Sequence, residues 1–322
     1  MSVTMVMTVE EMQDREKWLE MRRTGIGGSD ASVIVGLNKW KSRFELWLDK
    51  TNQAEEVDVS DNEYIYWGNV LEELVANRFC EVTGKKVRRC GMLRNNEHPF
   101  MLADIDRLVV GENAILECKT TAGWNSSEWE EDNLPDAYYI QIQHYLAVSG
   151  YDKAYIACLI GGNKFIWKEI PRNEEEIEVL IRAEEEFWQK NVVEKVMPEA
   201  DGSSGCSKAI SLLFKGNPED EEAAELEGRF DILCRDLEVL KAEKKKLEKA
   251  IEEKENKVRV ALGDKVFGRS PKYNFWYKVH SRTGFDVNQF KKDFPDLYDK
   301  YKTTSSFRKL TYKESKARKG DI

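Results

Sequence analysis

Long apolar runs are missing from this sequence of 322 residues. The longest, near Tyr155–Ile160, falls well short of the ~18 residues that a membrane-spanning helix requires. The opening stretch MSVTMVMTVEEM has neither a basic flank nor a small-residue cleavage site, so no secretory signal is expected. Cysteine is sparse and scattered, at positions 80, 90, 118, 158, 206 and 234. No C-x-x-C pair occurs, which argues against a zinc ribbon or an iron–sulfur cluster and for reduced thiols in a cytoplasmic protein. An excess of positive charge is also lacking. Lys and Arg number 50 against 59 Asp and Glu, a formal net charge of −9. Bulk charge therefore does not announce a nucleic-acid partner, and any phosphate contact must come from local patches.

What is present describes a soluble globular chain, 41% hydrophobic and 34% charged, long enough to bury a sizeable core. Charge is unevenly spread. Residues 263–322 carry a net +8 and residues 1–262 a net −17. The composition break marks a division before the basic tail.

Periodicity predicts helices over 8–22, 29–36, 43–50, 68–83, 135–149 and 173–197, with an acidic loop over 53–63. Thr8 and Glu11 have capping-box spacing, and Gly84 is a helix stop. Strand patterns follow at 85–93, 100–110 and 114–121, the last two as a hairpin around Gly111, then at 153–160 and 164–170 as a second hairpin. Residues 201–218, rich in Gly, Ser and Asn, read as a linker. From 219 to 262 there is no proline. Leu226, Phe230, Leu233, Leu237, Leu240, Lys244, Leu247, Ile251, Lys254 and Val258 alternate steps of four and three, a heptad pattern with two lysine interruptions. Aromatic residues among basic ones over 263–322 suggest a small strand-plus-helix module. The expected organisation is thus a core over 1–200, a linker over 201–218, a heptad helix over 219–262 and a basic aromatic module over 263–322.

The richest chemistry lies between Ile105 and Lys119. Glu117 and Lys119 are two apart on a predicted strand and leave the same face. The hairpin brings Asp106 to that edge, with Asp104 a competing candidate two residues earlier. Two carboxylates beside an ammonium are costly unless a cation lies between them. Oxygen-only ligation suits Mg²⁺ or Mn²⁺. The fitting chemistry is phosphodiester hydrolysis, in which a metal lowers the pKa of the attacking water and neutralises phosphate charge. Glu72, on the 68–83 helix, is a further ligand candidate. Gln141, in Tyr138-x-x-Gln141-x-Gln143, would touch the water or the phosphate. A second constellation joins Arg22 to the Gly27-Gly28-Ser29 turn, where backbone N–H groups at a helix start, the Ser29 hydroxyl and a guanidinium would hold an anion such as a terminal DNA phosphate. Trp18, one helical turn earlier, is a candidate wedge against the last base pair.

Four motifs occur in order: W-x(3)-R-x(6)-S (Trp18, Arg22, Ser29), W-G-x(3)-E (Trp67, Gly68, Glu72), D-x(10)-E-x-K (Asp106, Glu117, Lys119) and Y-x-x-Q-x-Q (Tyr138, Gln141, Gln143). Together, over about residues 12–190, they resemble the YqaJ-type viral recombinase family, which includes the phage lambda exonuclease. The resemblance implies an α/β (α+β) PD-(D/E)XK restriction-endonuclease-like core, a central mixed sheet flanked by helices, here followed by a long helix or coiled coil and a C-terminal module. It implies a Mg²⁺-dependent (or Mn²⁺-dependent) 5′→3′ exonuclease on double-stranded DNA ends, with two ions. The surviving 3′-ended strand would pass to a RecT/Bet-like single-strand annealing protein in the bacterial host cytoplasm, encoded by a phage or prophage.

By matching position, Asp106, Glu117 and the Cys118 backbone carbonyl would bind metal and Glu72 would help hold the second ion. Lys119 would orient the water and Gln141 would assist. Arg22 and Ser29 would grip the 5′-phosphate, and Trp18 would split the end. Ile105 stands where the family has the proline of its PD pair. The relatives form trimeric rings, which implies a homo-oligomer with Lys85, Lys86, Arg88, Arg89 and Arg94 lining a channel. The rival readings are an endonuclease of the same fold and a non-catalytic coiled-coil adaptor at DNA ends.

Overall fold

The computed structural model describes residues 2–54, 62–217, 222–304 and 307–313. The chain forms two compact units, Met1–Phe214 and Lys215–Ile322. The first contains β1 (Val3–Met7), α1 (Arg15–Arg23), α2 (Gly28–Ile34), α3 (Arg43–Lys50), α4 (Glu63–Thr83), β2 (Val87–Arg88), β3 (Met92–Asn95), β4 (Leu102–Ala103), β5 (Arg107–Val109) and β6 (Ala114–Thr121). These are followed by α5 (Asp136–Ser149), β7 (Lys153–Ile160), β8 (Lys164–Pro171), α6 (Glu174–Glu186) and α7 (Ser204–Leu213).

The central sheet has five strands in the order β2-β5-β6-β7-β8. Its β6–β7 pair is parallel and its other pairs are antiparallel. A parallel pair needs a crossover, and α5 supplies it. Alternation along β6 then sorts side chains between two cores. Ala114, Leu116 and Cys118 pack with Val75, Ala76 and Phe79 of α4. Ile115 faces the other way, into the larger core with Ile142 and Leu146 of α5 and Val33 of α2. Helices therefore cover both faces of a mixed sheet, which is the expected architecture. Phe79 is fully buried between α4 and the sheet, and truncating such a ring costs about 3–5 kcal/mol.

The strands expected over 85–93 and 100–110 are each divided between two sheets. β3 and β4 belong to a small antiparallel sheet with β1, an N-terminal strand that the sequence reading passed over. The chain crosses from the central sheet to this one at Arg89–Gly91 and back again at Asp104–Asp106. The helix expected over 8–22 is also broken. Thr8 and Glu11 do exchange reciprocal capping hydrogen bonds, but only a short 3₁₀ turn follows. Asp14 then caps α1 by accepting from the Lys17 N–H. The expected helix 173–197 is α6 running into a π-helical stretch that ends at Val193.

The linker expected over 201–218 is corrected. Ser203 accepts from the Cys206 N–H, and Cys206 and Ala209 of α7 are buried in the main core beside α3. Cys206, Ala209, Ile210 and Leu213 make a helical apolar stripe that outweighs the Gly and Ser content. Residues 55–61 of the acidic loop lie outside the described residues.

In the second unit, α8 (Arg229–Leu262) is 34 residues long and begins ten residues after the expected start. Leu233, Leu240, Leu247 and Ile251 of its heptad row are exposed. β9 (Phe267–Arg269) and β10 (Asn274–Trp276) pair antiparallel, followed by α9 (Val287–Asp293) and α10 (Pro295–Tyr301). Among the described residues no helix is long and apolar enough to cross a membrane.

One polar pair is sealed inside the first unit. His144 of α5 and Glu184 of α6 have no exposure, with Nδ1 2.8 Å from Glu184 Oε1 and Nε2 2.9 Å from the Leu102 carbonyl. The carbonyl only accepts, so Nε2 carries a proton. Burial alone would lower the His144 pKa, but the Glu184 charge and hydrogen bond hold it above the usual value. Burial also raises Glu184. Both groups hold a proton more tightly folded than unfolded, so the pair's contribution is complete at low pH and is lost as pH rises above about 6.5, the ordinary histidine value. Glu184→Ala leaves a buried imidazole unpaired and is expected to cost about 3–5 kcal/mol. Thermal melts of both proteins at pH 6 and pH 9 check this. The loss in melting temperature should be larger at pH 6; an equal or smaller loss there contradicts the assignment.

Candidate active site

β6 carries Glu117 and Lys119 on the α5 side of the sheet. The β5–β6 pairing sets Arg107 opposite Leu116 and Leu108 opposite Ile115. One step further along the same register, Asp106 stands opposite Glu117. The Asp106 carboxylate also accepts from the Cys118 backbone N–H at 2.7 Å. This separates the two aspartates. Asp106 is anchored on β6 beside Glu117, whereas Asp104 accepts from the Trp18 indole N–H at 2.8 Å.

Glu117 is only 2% exposed. One of its oxygens, Oε1, takes two donors: Lys119 Nζ at 2.6 Å and Gln141 Nε2 at 2.7 Å. The other, Oε2, is buried and has no hydrogen-bond partner among the described residues. Burial, then the nearby Glu117 charge, push the Asp106 carboxyl well above the usual range. Burial raises Glu117 as well, against the pull of Lys119. Burial would lower Lys119, but Glu117 and Asp106 overcome it and hold the ammonium charged. Lys119 is thus a cationic donor here and not a base, and its Nζ lies 4.9 Å from the Tyr138 ring centre.

A buried carboxylate oxygen without a donor, beside a second carboxylate of raised pKa, is the donor set that a hard divalent cation fits. Asp106 and Glu117 would hold such an ion with the Cys118 carbonyl. Among the described residues no three His, Cys, Asp or Glu side chains form a metal-binding group. Two carboxylates leave the rest of an oxygen shell to water and substrate, as Mg²⁺ sites commonly do.

The other expected residues divide. Glu72 lines a cavity of about 410 Å³ together with Trp18, Asp104 and Asp106. Its carboxylate, however, pairs at 2.5 Å with Arg107, whose guanidinium also holds Glu73. Arg107 stands opposite Leu116, so this ion pair belongs to the α4 side of the sheet. Gln143 does not reach the site. It donates to the Pro171 carbonyl and accepts from the Asn173 N–H, fastening β8 to the start of α6. Of the five cations expected in a channel, Lys85 pairs with Glu112, Arg89 with Glu73, and Arg94 donates to Thr24 Oγ1.

Arg22 and Ser29 do meet. Arg22 Nη2 is 3.3 Å from Ser29 Oγ, and the guanidinium lies 5.3 Å from the Trp18 ring centre. Beside Arg22 stand two residues that sequence reasoning missed. Asp30 Oδ2 takes Arg22 Nη2 at 3.1 Å, the Gly27 N–H at 2.9 Å and Lys50 Nζ at 2.8 Å. Lys50 Nζ also donates to the Arg22 carbonyl at 2.7 Å. Burial would raise Asp30, but Lys50 and Arg22 overcome it and hold the carboxyl far below the usual range. The Gly27 N–H expected to face a ligand therefore serves Asp30, and α2, at seven residues, is too short to act as a strong dipole. A signal for Asp30 was present, since it is the third residue of α2 in a capping arrangement with Gly27. Lys50 gave none, because a lysine ending an amphipathic helix reads as solvated.

The two constellations touch. A Cβ on Gly28 would lie 2.5 Å from Tyr145 Cε1 and 2.8 Å from Gln141 Cγ, and one on Gly27 would lie 3.0 Å from Arg22 Cζ. Only glycine allows this approach of α2 to α5.

Paired carboxylates and a charged lysine on a mixed sheet, joined through a glutamine of α5 to the turn beside a half-buried arginine, define a candidate centre for metal-assisted chemistry on a phosphate ester. The chain belongs to the YqaJ-like viral recombinase family. A model of the YqaJ-like viral recombinase domain matches residues 17–152. The uncharacterized protein YqaJ of Bacillus subtilis (strain 168) is 42% identical over 312 residues, covering 96% of this chain and 97% of that protein. Among solved structures, an alkaline exonuclease of Laribacter hongkongensis is similar at a TM-score of 0.47 and 19% identity, over 56% of this chain and 95% of that one. A phage related exonuclease of Haemophilus somnus 129PT is similar at a TM-score of 0.40 and 17% identity, over 56% and 100%.

Metal binding is testable without catalysis. Mg²⁺ or Mn²⁺ should raise the melting temperature of the native sequence, by about 2.7 kcal/mol of stability at a hundredfold excess over Kd. Asp106→Asn keeps an acceptor for the Cys118 N–H and removes one buried charge. It should be at least as stable as the native sequence in EDTA and gain nothing from the ion. Differential scanning fluorimetry reads both; an equal metal-induced shift in the variant excludes Asp106 as a ligand.

Proposed function

We propose that this protein is a metal-dependent deoxyribonuclease that digests one strand of linear duplex DNA in the 5′→3′ direction from an end. The observation that carries the reading is the buried Glu117 carboxylate, with one oxygen fixed by Lys119 and Gln141, the other without a partner, and Asp106 opposite. In this reading Asp106, Glu117 and the Cys118 carbonyl hold Mg²⁺ or Mn²⁺. The ion supplies an activated water and charge neutralisation at the scissile phosphate. Lys119, kept protonated, donates to the attacking water and orients it. Gln141 fixes the Glu117 carboxylate and so the direction of its unpartnered oxygen. Glu72 reaches a second ion only by leaving Arg107.

Arg22 and Ser29 bind the terminal 5′-phosphate and Trp18 stands beside the end. The Trp18 N–H bond to Asp104 fixes the indole and withdraws Asp104 from the ligand set. A 3′-ended product suits a RecT/Bet-like single-strand annealing partner in recombination. A homo-oligomeric ring, with the exposed heptad row of α8 as a pairing surface, belongs to the same reading.

End-labelled linear duplex with Mg²⁺ or EDTA tests it. The native sequence should release nucleotides progressively from the 5′ end only with the metal. Asp106→Ala and Lys119→Ala should each lose about three orders of magnitude in rate, on the order of 4 kcal/mol of transition-state stabilisation. A 5′-phosphorylated end should be digested faster than a 5′-hydroxyl end, and Ser29→Ala should shrink that preference. Internal nicks in circular DNA would favour an endonuclease. Full activity in both carboxylate and lysine variants would remove the catalytic assignment.

A further inference from the structure

Tyr145 joins Gln141 where the two halves of the site meet, and the motifs gave it no role. It lies on α5, one turn after Gln141, and is 4% exposed. Its hydroxyl oxygen accepts from Gln141 Nε2 at 3.1 Å, and the same Nε2 donates to Glu117 Oε1 at 2.7 Å. Its ring meets Gly28 so closely that a Cβ there would lie 2.9 Å from Cζ, the carbon that bears the hydroxyl. The hydroxyl thus sits between the Glu117 carboxylate and the turn that carries Ser29.

A phenol both accepts and donates. The accepting side is occupied by Gln141. Because an amide N–H fills that side, the O–H proton is directed away from Gln141. The hydroxyl lies within electrostatic reach of Arg22 as well as of Glu117, Asp104 and Asp106. A phosphate oxygen held by Arg22 and Ser29 is an acceptor of the right charge for that proton, and an O–H···O⁻ bond is about twice as strong as a neutral one.

We propose that Tyr145 is a specificity-determining positioning residue, whose hydroxyl donates to the terminal phosphate and, through Gln141, ties end recognition to the Glu117 carboxylate. An end carrying the phosphate satisfies the hydroxyl and steadies the Gln141–Glu117 arrangement, whereas an end lacking it leaves the O–H without its acceptor. The inference rests on the end-phosphate reading above and adds to it the route by which the end group reaches the carboxylate.

Tyr145→Phe tests it with the ring and its Gly28 contact intact. Digestion rates are measured on two duplexes differing only in 5′-phosphate or 5′-hydroxyl, for the native sequence and the variant, and the readout is the ratio of the two rates. Loss of one charge-assisted hydrogen bond should cut that ratio about tenfold. A purely structural role for Tyr145 lowers both rates together and leaves the ratio at its native value. An unchanged ratio therefore overturns the proposal, whether or not the absolute rates fall. The same ratio for Ser29→Ala separates the two readings. If Ser29→Ala lowers the ratio and Tyr145→Phe does not, the phosphate site stands and the tyrosine link fails. If the native sequence does not distinguish the two ends, both fall. Thermal melting and circular dichroism of Tyr145→Phe confirm that a changed ratio comes from a folded protein.

Discussion

Glu117 is the constraint around which the first unit is arranged. A carboxylate fully removed from water is one of the costliest groups a core can hold, unless it is paired and hydrogen-bonded. Here the pairing is half complete. Lys119 and Gln141 satisfy one oxygen, and among the described residues nothing satisfies the other. A fold selected for stability alone would place a hydrophobic residue between Leu116 and Cys118. The strand instead spends the burial of Ile115 and Leu116 on keeping a carboxylate in place, and Asp106 adds a second charge of the same sign. Such an arrangement is destabilising as it stands, and in the proposed reading a divalent cation offsets that cost. That is the usual sign of a site in which stability is exchanged for function.

The position of Asp106 follows from topology. The carboxylate sits where the chain leaves the small sheet for the central one, just before β5 begins. Inside a regular ladder, the Cys118 N–H would have bonded a strand carbonyl. At this crossing it is taken by the Asp106 side chain, which fixes the carboxylate without any help from the metal. Trp18 plays the parallel part for Asp104. Two acids two residues apart thereby have different donors, an indole N–H from α1 for one and a backbone N–H from β6 for the other.

Much of this was legible in the sequence because it depends on period and spacing. The two-residue step from Glu117 to Lys119, the hairpin that brings Asp106 near, the helix stop at Gly84 and the strands 153–160 and 164–170 are local patterns that tertiary structure leaves alone. What escaped depends on contacts distant in the chain. The division of residues 85–110 between two sheets is set by pairing of β3 with β1, some 90 residues away, and no local signal marks it. Helix α7 was hidden by its Ser and Gly content, although its apolar stripe was there to be read. Lys50 looked like a solvated helix end, yet it is 6% exposed and bound to Asp30 and the Arg22 carbonyl. Gln143, which shares a motif with Gln141, fastens β8 to α6.

The local charges also explain how an acidic chain can address a polyanion. Around Gly27 the charged groups are Arg22, Lys50 and Asp30, a net positive cluster already balanced in part by an internal carboxylate. Around Glu117 they are Asp106, Glu117 and Lys119, a net negative one. Each is incomplete by about one charge of the opposite sign, and α5 joins them through Gln141 and Tyr145. In the proposed reading a DNA end supplies the anion to the first and a divalent cation completes the second. Asp30 then has a specific part. By keeping Arg22 and Lys50 paired while no phosphate is bound, it avoids the larger cost of two buried cations facing each other, and it sets the geometry that a phosphate must match. Affinity is lowered, because the phosphate must share Arg22 with a resident carboxylate. What is gained is discrimination, since an end without a phosphate brings nothing that improves on Asp30.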